Sequence, residues 1–128
     1  MTTTKKWTIA VLAVVFVFGV GLLNQLREKE TAPGKLDEFA KCLESKQIFF
    51  YGAFWCPHCQ NQKKMFGSST KYLPYIECSA LDGKSQLPVC KAANITGYPT
   101  WVFADGSRES GEVPLEKLAE KSGCALPQ

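Results

Sequence analysis

Charge of one sign is what this chain has least of. Its 15 Lys and Arg stand against 12 Asp and Glu in 128 residues, a formal +3. Beyond residue 33 eleven basic residues face ten acidic ones. That balance leaves no basic face, which excludes nucleic acid as a partner. Internal repeats and low-complexity tracts are also missing, so the chain is no repeat array. With its N-terminal apolar segment set aside, it holds material for one domain of about a hundred residues and not for a second. A second Cys-x-x-Cys knuckle is lacking too: Cys78 and Cys90 do not have the spacing that would complete a zinc site with Cys56 and Cys59. No metal and no bound cofactor are expected. Cysteine itself is abundant, at Cys42, Cys56, Cys59, Cys78, Cys90 and Cys124. Six in so short a chain fit an oxidising compartment better than a reducing cytosol.

The N-terminal third divides into a stub (1–6), an apolar run (7–26) and a polar linker (27–34). Residues 7–23 carry no charge, and with Asn24 and Gln25 at the interface the run approaches the ~20 residues that cross a bilayer. It predicts one uncleaved transmembrane anchor. A cleaved signal peptide is the alternative, for which Gly19-Val20-Gly21 is the candidate small-residue site. Lys5 and Lys6 before the run nearly tie with Arg27 and Lys29 after it, so the cysteines decide orientation. The stub stays inside, and the C-terminal domain faces periplasm, cell exterior or thylakoid lumen. Arg27 to Gly34 reads as a tether.

Residues 35–128 form the remaining domain. Leu36, Phe39, Ala40 and Leu43 give one apolar face to a helix from about Lys35 to Ser45, with Cys42 off that stripe. A strand over Ile48–Phe54 follows, then a helix carrying Cys59 to about Phe66, ended by Gly67-Ser68-Ser69. Pro74–Cys78 reads as a second strand, Asp82–Ser85 as a turn, and Gln86–Ala93 as a short helix with Pro88 in its first turn. Thr100–Phe103 and Ser107–Gly111 flank Asp105-Gly106 as a hairpin, and a last helix starts at Pro114. Strands alternating with helices require a parallel pair, and the hairpin adds antiparallel strands. The expected fold is α/β, a central mixed sheet flanked by helices.

Trp55-Cys56-Pro57-His58-Cys59 falls where the first strand hands over to a helix. There Cys56 meets unpaired backbone N–H groups and the positive end of the helix dipole, which favour its thiolate. Cys56 is the expected nucleophile. Cys59, one turn on and more buried, can close a disulfide with it. Pro57 and His58 are the residues that tune this couple. His58 can offer a positive or hydrogen-bonding group to the Cys56 sulfur, and a stabilised thiolate makes the disulfide a better oxidant.

The segments Tyr51-Gly-Ala-Phe-Trp-Cys-Pro-His-Cys59, Met65-Phe-Gly67, Pro74-Tyr-Ile-Glu-Cys78, Cys90 and Gly97-Tyr-Pro-Thr-Trp101 resemble the thioredoxin-like domain that accompanies bacterial and plant vitamin K epoxide reductase homologues. The resemblance covers about Phe39 to Gly123. It implies a thioredoxin-like fold and a domain that exchanges disulfides with a quinone-linked membrane enzyme and oxidises cysteine-containing exported proteins. The four-helix membrane enzyme is not in this chain, so that partner would be a separate protein. The resemblance also implies a cis Pro99 opposite Cys56, with Tyr98 and Trp55 contacting substrate, since a cis X-Pro turn leaves the backbone at Tyr98 open to an incoming peptide. It makes Cys78–Cys90 the second disulfide, as a staple or a relay. Cys42 and Cys124 are left over; whether they come close enough to pair stays open.

Reducing thioredoxins carry a buried acid six residues before the first cysteine, where this chain has Phe50. That agrees with an oxidase, or with a phenyl ring filling the core. An extracytoplasmic reductase or isomerase, and a membrane-tethered binding module without turnover, are the competing functions.

Overall fold

A computed structural model describes residues 12–22 and 34–128. Two compact units are present, Met1–Ala32 and Pro33–Gln128. In the first, residues 12–22 are helical (α1) and exposed. Among the described residues no helix is long and apolar enough to cross a membrane. The other residues of the expected 7–26 anchor, the 1–6 stub, and the linker up to residue 33 lie outside the described residues.

The second unit runs α2 (Asp37–Ser45), β1 (Phe49–Gly52), α3 (Pro57–Phe66), a 3₁₀ segment (Gly67–Tyr72), β2 (Tyr75–Glu77), α4 (Pro88–Ala92), β3 (Thr100–Val102), β4 (Arg108–Ser110) and α5 (Leu115–Ser122). The sheet order is β2-β1-β3-β4. β1 and β2 are parallel, with Phe50 opposite Tyr75. β3 is antiparallel to β1, with Trp101 opposite Phe50, and β4 is antiparallel to β3. This is the mixed α/β sheet that the order of elements called for.

Alternation along the strands sorts the core. Phe50 and Trp101, stacked at 5.0 Å between ring centroids, gather with Phe39 and Leu43 of α2, Phe66 of α3 and Leu118 of α5. Tyr51 packs instead with Cys78, Cys90 and Ile95, and Phe49 and Val102 lie against that cluster. Period-two alternation sends neighbouring strand residues to opposite faces. Phe50 is fully buried, so at the position six before Cys56 the ring is core filler.

Several boundaries differ from the sequence reading for local reasons. β1 stops at Gly52 because the chain turns at once, Cys56 N donating to Ala53 O at 3.0 Å. α2 starts two residues late, its N-terminal Leu36 N–H taken by Ser69 Oγ at 3.0 Å. That hydroxyl belongs to the 3₁₀ segment, which stands where a plain loop was expected. The hairpin closes through Ala104-Asp105-Gly106, with Phe103 N donating to Ser107 O and Gly106 at φ 81. A left-handed glycine in the last loop position is the usual solution for a loop of that length.

α3, which carries both central cysteines, is locked down by one polar side chain. Gln62 is fully buried; its Nε2 donates to Val113 O at 3.0 Å, and its Oε1 accepts from Val113 N at 2.7 Å and Trp101 Nε1 at 3.3 Å. Its amide is satisfied as fully as a strand's backbone would be.

Candidate active site

Cys56 is the N-cap of α3, extended at φ −76 and ψ 118, and its Sγ accepts the backbone N–H of Cys59 at 3.4 Å. Pro57 occupies the first turn, where no N–H is needed and its fixed φ suits the helix. The sequence therefore places a sulfur where a helix presents donors and its positive end. Both thiols are free and both are buried, Cys56 to 4% and Cys59 to 1% relative exposure. Burial pushes the Cys59 thiol up to about 12, with the hydrogen bond to Cys56 adding to it. Cys59 stays protonated until something nearby favours its anion.

Across from Cys56, the Tyr98-Pro99 peptide is cis and Pro99 is buried. The Tyr98 carbonyl faces Cys56 Sγ at 3.8 Å. Proline brings no N–H there, so the only backbone polar group that Tyr98-Pro99 turns to the sulfur is the Tyr98 carbonyl, which accepts from the Cys56 thiol. Tyr98 is held by Gln86, whose Nε2 donates to its hydroxyl at 3.0 Å. Trp55 meets the Tyr98 ring edge-on at 6.1 Å, and its Nε1 donates to Ser79 Oγ at 2.9 Å. Phe54 and Trp55 are about half exposed beside the buried thiols, an apolar rim around Cys56.

His58 does not turn to Cys56. Its Nδ1 lies 2.6 Å from Glu112 Oε1, which also accepts from Asn61 Nδ2 at 3.1 Å. The His58 contact, followed by the Asn61 amide, holds the Glu112 carboxyl below the usual carboxylate range. Glu112 is fifty-four positions from His58, and no local signal in the sequence points to it.

Glu77, at the end of β2, is the second carboxylate that the sequence reading missed. Its Oε1 accepts from the backbone N–H of Phe54 (3.2 Å), Cys78 (3.1 Å) and Ser79 (2.9 Å), and its Oε2 from the Tyr75 hydroxyl (2.6 Å). It ties the turn before Cys56 to the loop that starts at Cys78.

The remaining cysteines are joined as Cys78–Cys90 and Cys42–Cys124, with Cα atoms 5.5 and 5.9 Å apart. Cys78 and Cys90, bonded to each other, have no thiolates to complete a zinc site with Cys56 and Cys59. The Cys42 bond fastens α2 to the segment after α5, beside a Lys46 Nζ contact to Ser122 O at 2.6 Å.

A family model described as Thioredoxin matches residues 31–121. The chain belongs to the thioredoxin family. It is also similar to the thiol-disulfide oxidoreductase LTO1 of Arabidopsis thaliana, 45% identical over 93 residues, which is 70% of this chain and 24% of that protein. The chain thus spans about a quarter of the length of that relative. Within this thioredoxin domain the residues singled out in the sequence, Trp55, Cys56, Cys59, Tyr98 and Pro99, come together at one place, with Trp55 exposed at its rim and Cys59 and Pro99 buried beneath it. His58 lies beside them but is bound to Glu112.

Proposed function

We propose that the chain is a thiol-disulfide oxidoreductase, held at a membrane by residues 7–26, that oxidises cysteine-containing exported proteins. The observation that carries the reading is the buried Cys56–Cys59 pair, with Cys56 Sγ at the mouth of α3 and the Tyr98 carbonyl directly opposite. In the oxidised form a substrate thiolate attacks Cys56 Sγ, the Cys56–Cys59 bond breaks and Cys59 leaves as a thiolate that takes up a proton. A second substrate thiolate then attacks the substrate sulfur of the mixed disulfide, and Cys56 leaves. The substrate loses two electrons and the pair gains them. A separate quinone-linked membrane enzyme of the vitamin K epoxide reductase type is the partner that would take those electrons on. Phe50 in place of an acid supports the oxidising direction.

A reductase or isomerase uses the same two cysteines, and one observation favours it: Glu112 draws His58 away from Cys56, which leaves the thiolate with less support. Equilibration with glutathione separates the two, since an oxidase sits at the high-potential end and a reductase far below it. The test of turnover itself is a Cys59→Ala variant expressed with its N-terminal segment in a cell envelope. Mixed disulfides through Cys56 to exported proteins are expected. Recovery of none would leave only a binding module.

A further inference from the structure

Of the two adjacent lysines in α3, Lys64 is exposed and Lys63 is half-buried. The Lys63 ammonium sits 3.3 Å from the centroid of the Tyr75 ring. Among the described residues it makes no ion pair and no side-chain hydrogen bond. Glu77, the nearest carboxylate on β2, has its oxygens committed to three backbone N–H groups and to the Tyr75 hydroxyl. Burial draws the Lys63 ammonium below its ordinary range. A partly buried ammonium without a close ion partner carries a desolvation cost that a nearby group able to hold negative charge would offset.

That group is on the same face of the helix. Cys59 and Lys63 are four residues apart in α3, hence neighbours along one side. Tyr75 touches both. A Cβ on Gly52 would lie 2.9 Å from Tyr75 Cε2 and 3.0 Å from Cys59 Sγ, so the ring edge and the sulfur close over the same glycine. Sulfur, ring and ammonium form one cluster under β1, with Glu77 fixing the ring from the other end. The titratable groups facing Cys59 are Cys56 at the helix start, Lys63 on α3 and Tyr75 on β2, with Glu77 bonded to the Tyr75 hydroxyl behind the ring.

We propose that Lys63 is the positive charge that lets Cys59 leave and return as a thiolate, with Tyr75 and Glu77 as its positioning residues. The inference rests on the reading of Cys56 and Cys59 as a redox couple. When a substrate thiolate attacks Cys56 Sγ, the Cys56–Cys59 bond breaks and the electron pair goes to Cys59 Sγ, beside Lys63; the proton then comes from water. In the reverse step the Cys59 thiol gives its proton to water, attacks Cys56 Sγ, and expels the substrate thiolate. The charge appears at Cys59 in both directions, so one ammonium serves both. Phe50 offers no acid for this step, and Lys63 performs it by field instead of by accepting a proton.

The test compares full-length wild type with Lys63→Met, Lys63→Arg and Lys64→Met. Two rates are read: opening of the oxidised Cys56–Cys59 bond by dithiothreitol, and alkylation of Cys59 at pH 9 in a Cys56→Ser background. Each unit by which the Cys59 thiol rises slows its departure roughly threefold for a Brønsted coefficient near 0.5. Lys63→Met should therefore slow both rates roughly threefold or more, with Lys63→Arg restoring most of the loss and Lys64→Met changing neither. Equal rates in Lys63→Met and wild type, or an equal loss in Lys64→Met, would overturn the proposal. A wild-type Cys56–Cys59 bond that dithiothreitol does not open would instead sink the redox couple beneath it.

Discussion

Trp55 Nε1 donates to Ser79 Oγ at 2.9 Å, one residue beyond the buried Cys78–Cys90 bond. The apolar rim of the site and the second disulfide are thereby parts of one local structure. Glu77 reinforces the link, since it bonds Phe54 N on one side and Cys78 N and Ser79 N on the other.

Replacing Cys78 and Cys90 together by Ala should cost about 3 kcal/mol, the loop-closure value for a separation of 12. The Cys42–Cys124 bond closes a loop with a separation of 82, and its removal should cost more, about 4.5 kcal/mol. Urea unfolding of the two double variants gives the order. Only the first should alter the fluorescence of Trp55 in the folded state, because only that bond supports the Ser79 contact.

Gly52→Ala places a methyl carbon against the Tyr75 ring and the Cys59 sulfur at 2.9 and 3.0 Å. Neither neighbour is the loose end of a long side chain, so a loss of about 1–3 kcal/mol is expected from overpacking. Cys59 should be disturbed before Cys56. Denaturant melts and alkylation of each thiol in turn check both statements.

Gln62→Leu keeps the bulk of the side chain and removes every bond it makes. Val113 N, Val113 O and Trp101 Nε1 would be left buried without their partner. The expected cost is about 2–4 kcal/mol. A midpoint unchanged in urea would show that water replaces the amide.

Glu112→Gln removes the charge that holds His58 off Cys56. Solvent screens an exposed pair of this kind, so the glutathione equilibrium constant should move only a few-fold, toward the dithiol. The shift should vanish when His58 is also replaced by Ala. A shift of equal size without His58 would show that the carboxylate acts on Cys56 directly.

Glu109 accepts from both Lys117 and Lys121 at 2.8 Å, and the lysines hold its carboxyl at about 2. A carboxyl depressed in the folded state contributes stability above its ordinary value of 4.5, and the contribution is lost as pH falls toward 2. Thermal melts between pH 6 and pH 2 should therefore fall less steeply for Glu109→Gln than for wild type. The pair lies at the surface, so 1 M salt should shrink the difference.

Much of the domain was legible in local signals. The Cys-x-x-Cys at a strand-to-helix junction, Pro57 and Pro88 in first turns, and the apolar stripe of α2 each depend on residues within a turn or two of one another. The hairpin position followed from Asp105-Gly106 alone. The end of β1 and the start of α2 were misplaced by two residues or so, because a turn at Ala53 and a hydroxyl from Ser69 set them. The chemistry around the cysteines was half legible: the thiols and Pro99 were in view, while Lys63, Tyr75, Glu77 and Glu112 were not.

By itself, then, the chain determined which sulfur stands at the mouth of a helix and in what order strands and helices follow, since hydrophobic period, caps and proline placement act over a few residues. Tertiary structure alone decided that Cys42 meets Cys124, that His58 turns to Glu112, and that an ammonium shares a buried cluster with Cys59. Those partners lie on separate elements or face a shared third residue. Their meeting depends on how the sheet stacks its strands and where α3 is pinned, and nothing periodic in the sequence records it.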